Sequence, residues 1–258
     1  MHFSDNFIAS FTCKTLKLKV PKCSVTMYAD DHQAYTFGER LEDVESILNH
    51  GVKEISNWYK DNLFMCNHEK FQSMSLGSKH KNKQMKIDVM NNDIESHSEM
   101  QLLGVTIDEH LNFSRHIGEV CKNASRKVGV LVRLRNMLTT SAKLKIFISF
   151  IMPQITYCHT VWHFCRASDS RKMEQVQERA LRAVYCDTRS SYDELLRKAK
   201  LTTLGCRRLQ GISIIMYKVK YNICPPYIKD IFKLDKPRYG LRNSGDFFYS
   251  SIQPNNLR

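Results

Sequence analysis

Along residues 41–60, Leu41, Val44, Ile47, Leu48, Val52, Ile55, Trp58 and Tyr59 recur at three- and four-residue spacing, which predicts an amphipathic helix. Glu42, Asp43 and Glu45 fall in its first turns, where the positive end of the helix dipole favours carboxylates, and Asp61-Asn62 ends it. Before the helix, Val25-Thr26-Met27-Tyr28 runs into Asp30-Asp31, and Ala34-Tyr35-Thr36-Phe37 follows. This predicts a β-hairpin over 24–38 with the two aspartates at its tip. After the helix, 63–76 reads as a short strand, a turn at Asn67-His68-Glu69 and a second strand over 71–76. Residues 77–83 form a polar basic loop, 85–89 alternate as a half-buried strand, and Asn91-Asn92 is a turn. Residues 102–107 read as one further strand, with Gly104 permitting close approach of a backbone or ligand.

From about residue 114 the period changes from 2 to 3.6. Helices are predicted over 114–137, over 141–150 with Ser141 as N-cap, over 168–185, 191–199 and 207–221, with Pro225-Pro226 stopping the last. Between the second and third, Pro153 opens a segment whose core is Ile155, Tyr157, Val161, Trp162 and Phe164. Met173, Val176, Ala180, Leu181 and Val184 mark the buried face of 168–185. Residues 1–23 are a poorly patterned lead-in, either a basic strand or unstructured, and 233–258 form a polar, loosely ordered tail. The fold class is therefore α+β: an antiparallel β-rich region at 24–112, then an all-helical region at 113–232, with no internal repeat.

Composition narrows the reading. With 42% hydrophobic and 25% charged residues, the chain is globular in character. Its 39 basic and 26 acidic residues leave +13, which fits a polyanionic partner such as nucleic acid or else a merely basic protein. Nine cysteines with no C-x-x-C pair fit reduced thiols rather than a disulfide framework, and no disulfide-linked partner is expected. No signal peptide is evident at Met1-His2-Phe3-Ser4-Asp5-Asn6, and the longest apolar stretch, around 146–151, is far too short to span a bilayer, so no membrane partner is expected.

Candidate chemistry is sparse. Adjacent carboxylates at a tight turn repel unless a cation sits between them, so Asp30-Asp31 is either a divalent-metal site or an ordinary solvated turn. Cys158, His159, His163 and Cys165 cluster within eight residues, with the histidines four apart on a possible helix. Their spacing matches no closed zinc module, and packed thiols and histidines are the alternative. Neither a Gly-rich phosphate loop nor a Cys–His catalytic motif is present. In 114–137, Arg115, Lys122, Arg126 and Arg133 lie broadly on one side, either as a solvated face or as a surface for phosphates.

In order along the chain come Tyr28-Ala29-Asp30-Asp31 and the helix ending at Trp58. Asn62, Leu63, Asn67 and Lys70 follow, then Leu103-Gly104-Val105-Thr106-Ile107-Asp108 with Leu111-Asn112-Phe113 and His116-Ile117. Last come Leu181-Arg182-Ala183, Leu204, Arg207-Arg208, Met216-Tyr217-Lys218 and Pro225-Pro226-Tyr227. Together these blocks resemble the reverse transcriptase of non-LTR retrotransposons, from the catalytic palm hairpin to the end of the thumb.

That resemblance implies an RNA-directed DNA polymerase working by two-metal nucleotidyl transfer with Mg2+ or Mn2+, an RNA template, a DNA primer and deoxynucleoside triphosphates. It implies Asp30 and Asp31 as metal ligands, Tyr28 near the primer end and Lys70 near the triphosphate. Leu103, Gly104 and Val105 would lie on the primer backbone, and Arg115, Lys122, Arg126 and Arg133 along the template–primer. It makes 24–112 a partial palm, 113–232 a thumb with following helices, and the location nuclear and cytoplasmic. In the resembled enzymes a further Asp comes from an earlier palm strand, which the residues before 24 do not resemble. Tyr239-Gly240-Leu241-Arg242-Asn243-Ser244 resembles the start of a terminal motif. The expectation is a piece of a polymerase without activity on its own; the alternatives are a non-catalytic nucleic-acid-binding helical module or a decayed copy.

Overall fold

A computed structural model describes residues 6–7, 22–28, 31–63, 67, 70–76, 85–90, 92–225 and 228–229. The basic loop 77–83, the tail 233–258 and most of the lead-in lie outside these residues. The architecture is mixed α and β, with antiparallel two-stranded ladders in the first part and helices in the second. The chain divides into two compact units, residues 2–116 and residues 117–258.

The first unit is built on α1, Leu41–Asp61. Leu41, Val44, Leu48, Val52, Ile55 and Tyr59 form its buried stripe, with Ile47 and Trp58 partly buried beside it, as the spacing predicts. Against this stripe pack Cys23 and Ala34 from the hairpin of β2 (Ser24–Tyr28) and β3 (Asp31–Tyr35). Met85, Ile87 and Val89, at and beside β5 (Lys86–Val89), complete the core with Phe71. Residues 85–89 alternate buried and exposed, the signature of a strand with one wet face. Asn49 of α1 reaches the edge of β5, its Oδ1 accepting from the Asp88 N–H at 2.8 Å and its Nδ2 donating to the Lys86 carbonyl at 3.4 Å.

Several expectations in this unit are corrected. The turn after β5 falls one residue early, because Asn92 already opens β6 (Asn92–Glu95) and pairs with Val89. Of the strand predicted over 71–76, only β4 (Ser75–Leu76) forms, paired with β1 (Asn6–Phe7). The single strand predicted over 102–107 is instead a hairpin of β7 (Glu99–Leu102) and β8 (Val105–Asp108), with Leu102 opposite Val105. Leu103 and Gly104 turn the chain with φ of 47° and 79°. Two consecutive positive φ values match the twist of the strands they join. Gly104 adopts its value without steric cost, whereas Leu103 is held there by the pairing on either side.

Beyond β8 the chain is organised by one carboxylate. Asp108 Oδ2 accepts from the Phe113 N–H at 2.8 Å, and its Oδ1 accepts from His110 and Asn112 at 3.0 and 3.2 Å. Leu111 and Phe113 within that loop have φ of 54° and 58°. The three bonds hold an otherwise unfavourable backbone at the entry to α2, Ser114–Arg133. Asp108→Ala should therefore destabilise this unit by about 1–3 kcal/mol in chemical denaturation. A change within about 0.5 kcal/mol would show that the loop holds itself.

In the helical unit, α2 buries Ile117, Ala124, Val128 and Leu131. It ends at Arg133, four residues before the predicted end, and 134–137 continue as turns. The buried Lys143 ammonium donates to the Arg135 carbonyl at 3.3 Å within that turn. The next helix starts earlier than predicted. Thr139, not Ser141, caps α3 (Thr140–Ile146), accepting from the Ala142 N–H at 3.3 Å. A π-helical turn, Phe147–Ile151, joins α3 to α4 (Met152–Thr156), where Pro153 takes its expected place near a helix start.

Residues 157–164 are turns rather than helix. Ile155 and Trp162 are buried as predicted, but Tyr157, Val161 and Phe164 are 50%, 55% and 76% exposed. Next come α5 (Ala167–Tyr185), α6 (Tyr192–Ala199) with a full Ser191–Glu194 capping box, and α7 (Leu204–Lys220) capped by Thr203. The last helix starts at Leu204 rather than residue 207 and ends at Lys220 with Tyr221 as its C-cap, ahead of Pro225. α5 packs against α3, α6 and α7.

Candidate functional site: a carboxylate hairpin and a basic helix

The hairpin ladder runs as far as the pair Tyr28 and Asp31. Asp30, predicted as the principal metal ligand, lies outside the described residues. Asp31 is the first residue of β3 rather than part of the turn, and it is exposed. Tyr28, across the ladder, is 68% exposed. Among the described residues beside the tip, the Asp31 carboxylate and the Tyr28 phenol are exposed.

The next residue faces the other way. His32 is 1% exposed, and its Nδ1 is hydrogen-bonded to the hydroxyl of Tyr59 on α1. Alternation in the strand forces this split: Asp31 points out, His32 points in. The buried imidazole anchors β3 to the helix directly beside the carboxylate, a role that the sequence pattern does not reveal. Burial lowers its pKa from 6.5 to about 3. The folded form therefore disfavours the imidazolium, and its stability is fully present above pH 6.5 and declines as pH falls toward 3. Between about pH 6.5 and 4.5 the wild-type chain should lose about 1 kcal/mol per pH unit more than His32→Gln. Equal slopes in urea titrations would contradict this anchoring.

Lys70 is exposed, and its backbone N–H donates to the Asn67 carbonyl at 3.2 Å. Leu103 and Gly104 occupy a hairpin tip, while the Val105 side chain is 4% exposed and faces the core. Arg115, at the start of α2, is ion-paired with Glu99 of β7. Among the described residues, no three His, Cys, Asp or Glu side chains are grouped to hold a metal ion. The donor set described here, one exposed aspartate at a strand start, does not by itself fit a two-metal centre. The residues of the Cys158–Cys165 cluster likewise form no such metal-holding group among the described residues. Its histidines lie on turns, His159 Nδ1 donates to the Thr156 carbonyl at 2.5 Å, and burial together with Arg208 and His159 lowers the His163 pKa.

In the helical unit three cations of α2, Lys122, Arg126 and Arg133, share one face. At 3.6 residues per turn, Arg126 and Arg133 lie about 40° and 20° from Lys122 around the axis. Ile117, Ala124, Val128 and Leu131 lie on the far side, in the core. All three cations are exposed, and they span ~16 Å along the helix. Arg126 donates to the neutral Asn123 amide at 3.3 Å, and Lys127 donates to the Phe150 carbonyl at 3.3 Å. Of the remaining motif residues, Leu181 and Ala183 are buried, and Arg182 ties Glu178 at 2.6 Å to the Ser190 carbonyl at 3.1 Å.

All described cysteines are free thiols, and no helix of the described residues is long and apolar enough to cross a membrane. No family model and no solved structure matches the chain. An RNA-directed DNA polymerase from the mobile element jockey of Drosophila melanogaster is 25% identical over 209 residues, which are 78% of this chain and 22% of that protein. The chain is thus a distant relative of an RNA-directed DNA polymerase, with a reverse-transcriptase-like origin, and it spans 22% of that relative's length.

Proposed function

We propose that this chain is the part of a non-LTR retrotransposon reverse transcriptase that carries the second half of the palm and the thumb, and that by itself it binds nucleic acid without polymerising. The observation that carries the reading is the 209-residue similarity to the jockey polymerase. The hairpin supports it, since a carboxylate is held at a strand start beside a buried histidine anchor. In this reading residues 24–112 are palm and 113–232 thumb. Asp30 and Asp31 are the hairpin's metal ligands, Tyr28 shapes the primer floor, and Lys70 serves the triphosphate. The tip at Leu103-Gly104, rather than the buried Val105 side chain, approaches the primer. Lys122, Arg126 and Arg133 contact template–primer phosphates independently of sequence. The partners are then an RNA template, a DNA primer and, in the parent enzyme, deoxynucleoside triphosphates, with Mg2+ or Mn2+ supplying Lewis acidity. Its setting is the cell's nucleus and cytoplasm.

The binding-only reading of the isolated chain rests on chemistry: two adjacent aspartates, Asp30 and Asp31, are too few carboxylates to organise two metal ions unaided. A primer-extension assay on an RNA template with Mg2+ or Mn2+ tests it. No extension above a no-protein control is expected, and template-dependent extension abolished by Asp30→Asn would overturn it.

A further inference from the structure

The outward face of α7 carries side chains that neither the hairpin nor α2 accounts for. Tyr217 and Tyr221 are 57% and 56% exposed, and their rings lie 4.5 Å apart, tilted by 41°. They stand one turn apart on the side of the helix opposite Leu204, Arg208 and Val219, which are buried. Lys218 lies about 100° to one side of Tyr217 and Lys220 about 60° to the other. Ile214 is exposed one turn earlier.

The stretch of chain that carries this face has charges of one sign. From Leu195 to Lys229 the sequence contains no Asp or Glu, but it contains Arg197, Lys198, Lys200, Arg207, Arg208, Lys218, Lys220 and Lys229. Adjacent exposed aromatic rings bracketed by lysines, in a stretch without carboxylates, combine a stacking surface with phosphate attraction. A protein partner would meet the same apolar atoms but would make less use of the exposed Lys218 and Lys220 on either side.

We propose that Tyr217 and Tyr221 form a base-stacking platform for single-stranded nucleic acid, with Lys218 and Lys220 holding the flanking phosphates. This rests on the nucleic-acid-binding reading and extends it from phosphate contacts on α2 to the bases of an unpaired strand. Each base has a π-face, so the platform is sequence-tolerant and selects unpaired over paired strands.

The test uses the 258-residue chain, fluorescein-labelled oligo(dT)20 and an abasic 20-mer with the same sugar–phosphate backbone, read by anisotropy. The wild type should bind oligo(dT)20 at least about fivefold more tightly than the abasic strand. The double substitution Tyr217→Ala/Tyr221→Ala should remove that preference, leaving abasic binding unchanged. Tyr217→Phe/Tyr221→Phe should keep the preference, because stacking needs the ring and not the hydroxyl. Equal binding of the two strands by the wild type, or a preference that survives both alanines, would overturn the platform alone. Sedimentation showing that the tyrosines bury a second copy of the chain would overturn it as well. No binding of either strand would overturn the platform and the nucleic-acid reading together.

Discussion

Replacing Lys122, Arg126 and Arg133 together with glutamate is expected to weaken binding of a template–primer duplex on the order of a hundredfold at about 0.1 M salt. The three cations share one exposed face of α2 opposite a buried apolar stripe, so reversing them leaves the core untouched. Replacement with alanine should lower the slope of log affinity against log salt by about three, one for each phosphate no longer neutralised. Arg115→Ala should do less, because Glu99 already neutralises that guanidinium. If the triple glutamate variant binds like the wild type while retaining its helical circular dichroism, α2 is only a solvated face and the phosphates go elsewhere.

The second large effect concerns stability. Trp162→Ala should cost about 3–5 kcal/mol. The indole is 1% exposed, its N–H donates to the Tyr157 carbonyl at 3.2 Å, and the Arg208 guanidinium lies 5.7 Å from its ring centroid. Arg208 is buried and is held by Ser170 at 2.6 Å, so removing the indole strips one face from a buried cation. Val161→Ala and Phe164→Ala, flanking the tryptophan in sequence, should each stay within about 0.5 kcal/mol because their side chains are exposed. Thermal melts of the three variants check the contrast. A Phe164→Ala loss as large as the tryptophan's would contradict it.

The same contrast marks where burial is legible in sequence. A helix with one wet side prints its period, and α1 and α5 are legible from spacing because Leu48, Val52 and Ile55, or Met173, Ala180 and Val184, recur against a polar background. Residues 157–164 share the same apolar letters but follow a chain of turns, where no period relates position to burial. Only Trp162 among their aromatics finds the core. The run Leu102-Leu103-Gly104-Val105 misleads for a similar reason. A buried strand and a tight hairpin of apolar residues look alike, and Leu103 at φ 47° is not a residue that announces a turn. Ser141 loses the cap to Thr139 because both hydroxyl residues precede the same apolar stretch and only geometry chooses between them.

The candidate site is legible as a pattern of types, not as an arrangement. Asp31 and Tyr28 oppose each other in the register that also pairs Val25 with Ala34. The residue that fixes the hairpin to α1, His32, carries no sequence signal, since a lone histidine in a strand can face either way. Tyr59 is visible only as one member of the helix stripe. Asp108, part of a family block, caps a loop of positive-φ residues, and Arg182 ties Glu178 to the Ser190 carbonyl. Asp108 and Arg182, two residues of the blocks that resemble polymerase motifs, thus hold the backbone.

The central claim, a reverse-transcriptase-derived chain that engages nucleic acid through phosphates, is tested most directly by the salt dependence of its affinity for an RNA template annealed to a DNA primer. Anisotropy titrations between about 50 and 200 mM salt should show affinity falling steeply and log-linearly, with a slope of at least about −3. Binding that is flat across that range, or absent at its low-salt end, would contradict the account.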